Sequence, residues 1–135
     1  MSSSPKQKLL IVDDDDDVLS GIRCRLTAAG FETCVARDGA EGIETALREC
    51  PDAILLDVRM PRLDGLCALK ILRSQAETRH IPVVMLSASL PDSQLALDSG
   101  ARYFLRKPYR ASTLMAAVRA VVPNSKTITN TSEAV

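Results

Sequence analysis

The chain has 135 residues, of which 46% are hydrophobic, 25% charged and only 3% aromatic. This length predicts one domain that is large enough to bury its own hydrophobic core. The 17 Lys and Arg residues balance the 17 Asp and Glu residues, which excludes the overall basic charge typical of a nucleic-acid-binding domain.

Short apolar segments alternate with helical patterns along the middle of the chain. In chain order, the pattern predicts a strand over 9–12, a helix over 18–29, a strand over 31–36, a helix over 40–47, a strand over 53–56, a helix over 66–72, a strand over 83–86, a helix over 92–99, a strand over 103–105 and a helix over 114–121. Gly30 and Gly100 are expected to end the first and fourth helices. We predict an α/β domain over residues 8–122, with a parallel sheet and helices on both faces. The polar ends, 1–7 and 123–135, are expected to be flexible.

The cysteines favour a cytoplasmic protein. Cys24, Cys34, Cys50 and Cys67 have no CxxC spacing, and His80 is the only histidine. We therefore expect neither a zinc site nor redox chemistry, and interpret the cysteines as small, mostly buried apolar side chains. No stretch of 18 apolar residues is present and residues 1–8 lack a signal-peptide pattern, so we expect neither membrane insertion nor secretion.

Polar side chains end four of the five predicted strands. Asp13 and Asp14 follow the first strand, Asp57 the third, Ser87 the fourth and Lys107 the fifth. Ligands of doubly wound sheets bind at the carboxyl ends of the strands. We therefore expect these five residues to share one crevice.

The chemistry of this set favours phosphoryl transfer. Three neighbouring carboxylates repel one another unless a divalent cation joins them, and Mg²⁺ binds such oxygens. A lysine and a hydroxyl suit phosphate oxygens, and a carboxylate can be the nucleophile. Simpler structural interpretations exist for single residues. A place in a turn would also explain Asp57, and the end of a strand would also explain Lys107. For residues 15–17 we accept the start of a solvent-exposed helix.

Four motifs resemble those of one known family. They are LLIVDD at 9–14, ILLDVRMPRLDG at 54–65, VVMLSA at 83–88 and GARYFLRKP at 100–108. In this order they resemble the receiver domain of two-component response regulators, over about residues 8–122. The resemblance implies a (βα)5 doubly wound fold with the flavodoxin-like strand order 2-1-3-4-5.

The resemblance also implies the roles of the site residues. Asp57 would be the phosphoacceptor. Asp13, Asp14, Asp57 and the backbone carbonyl of Arg59 would bind Mg²⁺ (or Mn²⁺). Positions 87 and 107, a serine and a lysine, would hold the phosphoryl oxygens.

A switch and its partners follow from the same resemblance. Ser87 would move toward the phosphoryl group while Phe104 turns inward, which changes the surface of helix 4, strand 5 and helix 5. A sensor histidine kinase or phosphotransfer protein would supply the phosphoryl group, and a downstream protein would bind the switched surface.

We expect no direct contact with nucleic acid or membrane, a monomer or weak dimer, and no enzymatic activity beyond assisting its own phosphotransfer and dephosphorylation. The length leaves no room for an output domain, so we expect either a stand-alone receiver or a piece of a longer regulator or hybrid kinase.

Phe104 and Arg59 depart from the family pattern, and Gly65 is expected to have a structural role. Phe104 stands where a tyrosine would offer a hydroxyl. The side chain of Arg59 is expected either to overhang the pocket and slow water attack or to pair with the acidic cluster. Gly65 is expected to adopt a positive φ.

Three other functions compete with this interpretation. Residues 14–18 fit the DxDx[T/V] pattern of haloacid-dehalogenase-type phosphatases with Asp14 as nucleophile, but the later acidic pair of that family is missing. A flavodoxin-type FMN carrier would need a phosphate-binding loop where this chain has aspartates. A receiver-like binding module that is never phosphorylated is the third.

Overall fold

The computed structural model describes residues 6–60 and 62–122. Five strands alternate with five helices: β1 Lys8–Val12, α1 Asp16–Ala28, β2 Glu32–Ala36, α2 Gly39–Glu49, β3 Ala53–Asp57, α3 Gly65–Ser74, β4 Val83–Ser87, α4 Asp92–Asp98, β5 Tyr103–Arg106 and α5 Ala111–Val121. All ten predicted elements are confirmed, with ends shifted by a few residues. Of the ends predicted to be flexible, 1–5 and 123–135 lie outside the described residues.

The five strands form one parallel sheet in the order β2-β1-β3-β4-β5, which confirms the flavodoxin-like prediction. β1 lies between β2 and β3, with Val12 paired to Ala36 on one side and Leu56 on the other. The strand order therefore reverses between β1 and β3, and this reversal opens a crevice at the carboxyl ends of the strands. The residues that follow β1 and end β3 lie in it.

Helices cover both faces of the sheet, because alternate strand side chains point to opposite sides. One face packs α2, α3 and α4 against the sheet through the buried residues Leu10, Val12, Ala46, Ile54, Leu56, Leu69, Leu72, Met85 and Ala96. The other packs α1 and α5 through Leu9, Ile11, Leu19, Ile22, Leu26, Leu55, Val84, Leu86, Leu114 and Val118. In the part of the chain described, no helix has both the length and the apolar character needed to cross a bilayer.

Local signals set several helix ends. Asp15 caps α1 by accepting from the backbone N–H groups of Asp17 and Val18, which confirms the interpretation of this acidic stretch as a helix start. Gly30 and Gly100 have φ values of +96° and +109°, so both glycines end helices as predicted.

The prediction for the cysteines is wrong. Cys24, Cys50 and Cys67 are exposed and Cys34 is half-buried, and all four are free. Cys24 lies off the buried stripe of α1, Cys50 is the left-handed cap that ends α2, and Cys67 lies in the first turn of α3. These positions face outward whatever the polarity of the side chain.

Gly65 is required for a different reason than predicted. Its φ is not positive; only Gly30 and Gly100 among the described glycines have that conformation. Its N–H donates to the Val58 carbonyl at 2.9 Å, and a Cβ there would lie 2.1 Å from the Asp57 carbonyl oxygen. The start of α3 therefore packs directly on the backbone that carries Asp57.

Substitution of Gly65 by alanine should lower the free energy of unfolding by about 2–3 kcal/mol, because backbone atoms must move to admit the methyl group. Gly21→Ala is the matched control: it lies within α1 with no atom within 4 Å of its new Cβ, and should stabilise the protein by about 0.5–1 kcal/mol. Urea denaturation measures both. Equal effects of the two substitutions would contradict the close-contact explanation.

Candidate functional site

Three predicted carboxylates meet at the reversal of strand order. Asp13 follows β1 and Asp57 ends β3; their exposed fractions are 1% and 4%, whereas Asp14 is exposed. One carboxylate oxygen from each lies within 4.8 Å of the others. The structure thus brings these three side chains together as predicted.

Lys107 joins this cluster from the loop after β5. Its Nζ lies 2.9 Å from Asp57 Oδ1 and 3.4 Å from Asp13 Oδ2. The lysine backbone is tied to β4, since its N–H donates to the Ser87 carbonyl at 2.8 Å. One ammonium therefore contacts two buried carboxylates.

Burial and charge shift the ionisation of this pair. Burial raises the pKa of Asp57 to about 6; repulsion from Asp13 and Asp14 adds to the rise, and the hydrogen bond from Lys107 opposes it. Burial lowers the pKa of Lys107, but Asp57 and Asp13 outweigh that effect and raise it above its usual value. Near neutral pH the site carries excess negative charge.

The cluster fits a hard divalent cation. Its donors are all carboxylate oxygens from Asp13, Asp14 and Asp57, which are the ligands that Mg²⁺ and Mn²⁺ prefer. The exposed Asp14 opens the group to solvent. Burial is the main cause of the raised pKa of Asp57, and repulsion from Asp13 and Asp14 adds to the rise; a cation would relieve that repulsion. Binding through the carbonyl of Arg59 stays a prediction.

Ser87 ends β4 and is 1% exposed. Its hydroxyl donates to Asp92 Oδ2 at 2.7 Å and accepts from the Ser89 N–H at 3.0 Å. In this structure the Ser87 hydroxyl therefore bonds toward the start of α4 and not toward Asp57.

Arg59 pairs with an aspartate outside the metal cluster. Its Nε and Nη2 donate to the two carboxylate oxygens of Asp92, each at 3.2 Å. The expectation that Arg59 pairs with the acidic cluster is wrong, because the guanidinium extends to α4 instead. Asp92 is not among the predicted site residues, because an acidic residue that begins a helix is ordinarily solvated and no local sequence signal indicates that this one is only 3% exposed.

Phe104 lies in β5, where it is paired in register with Met85. Its half-buried ring packs against the core beneath α2, α3 and α4. His80, interpreted from sequence as structural or exposed, is exposed.

The family model of the response regulator receiver domain matches residues 9–119. Among curated relatives, the transcriptional regulatory protein PrrA of Mycobacterium tuberculosis is 40% identical over 131 residues, which cover 95% of this chain and 55% of that protein. The chain spans about half the length of the first curated relatives that it matches.

Solved structures agree with this match. The chemotaxis protein CheY4 of Vibrio cholerae has a TM-score of 0.81 at 31% identity, covering 87% of this chain and 100% of that one. The receiver domain of sensor histidine kinase PA1611 from Pseudomonas aeruginosa, with a magnesium ion coordinated in its active site cleft, has a TM-score of 0.80 at 29% identity, covering 87% and 98%. The same comparisons favour a receiver over the phosphatase and FMN-carrier alternatives. The chain therefore belongs to the response regulator receiver family of two-component signalling.

Proposed function

We propose that the protein accepts a phosphoryl group on Asp57 from the phosphohistidine of a sensor histidine kinase or phosphotransfer protein. The observation that carries this proposal is the position of the Asp57 carboxylate, 2.9 Å from the Lys107 ammonium and grouped with Asp13 and Asp14. A buried carboxylate beside a cation suits attack on phosphorus, because phosphoryl transfer depends mainly on positioning and charge neutralisation.

The chemical step follows from this arrangement. A carboxylate oxygen of Asp57 attacks phosphorus, the P–O bond forms, the P–N bond to the donor imidazole breaks, and the imidazole leaves. Lys107 already contacts Asp57, so its ammonium is placed to neutralise charge on the transferred oxygens. In dephosphorylation, water attacks the same phosphorus, the P–O bond to Asp57 breaks, and inorganic phosphate leaves while Asp57 returns to the carboxylate. The protein thus takes part in its own phosphotransfer and dephosphorylation.

Mg²⁺ (or Mn²⁺) would be held by Asp13, Asp14, Asp57 and the carbonyl of Arg59. When bound, it supplies positive charge that neutralises the phosphoryl oxygens. The all-oxygen donor set supports this assignment, and so does the magnesium ion in the active site cleft of the related PA1611 receiver.

The response to phosphorylation would pass through Ser87 and Phe104 to the surface of α4, β5 and α5. These elements expose large apolar side chains, with exposed fractions of 54% for Leu95, 46% for Leu97 and 43% for Tyr103. Such side chains suit a downstream protein partner. The proposal includes no direct contact with nucleic acid or membrane, a monomer or weak dimer, and a cytoplasmic location, which suits four free thiols.

Intact-protein mass spectrometry tests the phosphoacceptor assignment. After incubation with Mg²⁺ and acetyl phosphate, the wild type should gain one phosphoryl group and Asp57→Asn none. Asp17→Asn, an exposed aspartate of α1 outside the cluster, should gain one like the wild type. Phosphorylation of Asp57→Asn would place the acceptor elsewhere, and an unmodified wild type would favour the binding-only module.

A divalent cation should stabilise the folded protein. Mg²⁺ at about ten times its dissociation constant should add about 1.4 kcal/mol, which raises Tm by about 5 °C for a domain of this size. Thermal melts with and without chelator measure the shift, with NaCl matching the ionic strength. Asp14→Asn should abolish the shift and Asp17→Asn should keep it; an equal shift in both variants would contradict the metal assignment.

The pKa of Asp57 predicts how stability depends on pH. Because that pKa is raised from 3.8 to about 6 on folding, the folded chain binds more protons than the unfolded chain between these values. The contribution of Asp57 to the free energy of unfolding of the wild type is therefore fully present below pH 3.8 and is lost as the pH rises through about 6. Asp57→Asn lacks the titration and should be more stable than the wild type by about 3 kcal/mol at neutral pH.

Urea denaturation of both proteins across this pH range measures the effect. The advantage of Asp57→Asn should shrink as the pH falls toward 4. A constant difference at all pH values would contradict the raised pKa.

A further inference from the structure

The end of β4 and the loop that follows β3 are both joined to α4 by side-chain hydrogen bonds. Ser87 donates to Asp92 Oδ2 at 2.7 Å, and Arg59 donates to both oxygens of Asp92 at 3.2 Å. Arg59 lies two residues after Asp57, and Asp92 is the first residue of α4. These hydrogen bonds among Ser87, Asp92 and Arg59 therefore connect the end of β4, the loop after β3 and the start of α4.

The Ser87 hydroxyl has a single proton to donate. In this structure the Ser87 hydroxyl donates that proton to Asp92 Oδ2, while its oxygen accepts from the Ser89 N–H. A phosphoryl group on Asp57 can receive a hydrogen bond from Ser87 only if Ser87 leaves Asp92. Asp92 and the phosphoryl group thus compete for one donor.

The competition is strong because Asp92 is a charged acceptor in a buried position. Its side chain is only 5% exposed, whereas that of Arg59 is 70% exposed. A hydrogen bond to a carboxylate is roughly twice as strong as one between neutral groups. When Ser87 leaves, Arg59 still satisfies the Asp92 carboxylate, so the buried charge is not left without a partner.

From this geometry we propose that Asp92 is a positioning residue that holds Ser87 in the unphosphorylated arrangement, with Arg59 retaining Asp92 once Ser87 is released. The inference rests on the proposed phosphoacceptor function of Asp57. It adds a specific restraint on the switch: the free energy of phosphoryl-state formation includes breaking the Ser87–Asp92 bond. The start of α4 responds because Asp92 belongs to that helix.

Titration with beryllofluoride and Mg²⁺, followed by NMR, tests this restraint, since beryllofluoride binds a carboxylate oxygen and mimics a phosphoryl group. Asp92→Asn keeps the side-chain size but removes the charge, so it should bind beryllofluoride about three- to tenfold more tightly than the wild type. Asp38→Asn is the matched control. Like Asp92, Asp38 is buried and pairs with an exposed arginine, Arg62, at 3.5 Å; it also caps α2. Because Asp38 has no hydrogen bond to Ser87, Asp38→Asn should leave the affinity for beryllofluoride unchanged.

A Ser87→Ala background separates positioning from a general structural effect. If Asp92 acts through Ser87, adding Asp92→Asn to Ser87→Ala should leave the affinity of Ser87→Ala unchanged. In the wild type itself, the carboxyl ¹³C resonance of Asp92 should shift on beryllofluoride binding while that of Asp38 stays in place. This second measurement decides the question even if Asp92→Asn does not fold.

The outcomes separate this inference from the function on which it rests. Wild-type binding with an Asp92→Asn affinity that is unchanged or weaker would overturn the restraint alone, and so would an unmoved Asp92 resonance. A wild type that does not bind beryllofluoride would overturn the phosphoacceptor assignment and the restraint with it.

Discussion

The site depends on an unequal balance of charge at the carboxyl ends of β1 and β3. Because these strands are neighbours, Asp13 and Asp57 are buried side by side, and Lys107 is the ammonium that contacts both. Two unit charges 4 Å apart interact by about 4 kcal/mol at the effective dielectric of a protein surface, so one lysine does not offset three carboxylates. The remaining negative charge favours a divalent cation, and the cation with Lys107 would then favour an anionic phosphoryl group.

The same site is joined mechanically to the surface proposed for partner binding. Ser87 ends a fully buried strand, so its backbone is fixed. Its hydroxyl would donate either to the Asp92 carboxylate or to a phosphoryl group on Asp57. In the present structure that acceptor is Asp92, at the start of α4. A change of charge at Asp57 would therefore act on α4 by exchange of one hydrogen bond, which is the kind of local event that biases a two-state element.

The architecture could be predicted from sequence because each strand is a continuous apolar segment and each helix has a periodic stripe, and both are local signals. Asp13, Asp14, Asp57 and Lys107 could be predicted because each follows such a strand directly or within two residues. The pairing of Arg59 with Asp92 was not predicted, since it joins a loop residue to the start of a helix 33 residues later in the sequence. Periodicity indicates which face of an element is buried, but it does not indicate which side chains meet across loops. The prediction for the cysteines failed for another reason, because it rested on residue type although Cys24 lies off the buried stripe of α1. The contact at Gly65 depends on backbone packing, which no side-chain pattern indicates.

The most direct test of the charge balance is the titration of the Asp57 carboxyl carbon by ¹³C NMR, first without divalent cations and then with saturating Mg²⁺. The account predicts a midpoint at about pH 6 without cations and a lower midpoint with Mg²⁺, because the cation favours the ionised carboxylate. A midpoint near the ordinary value for aspartate, unchanged by Mg²⁺, would contradict it.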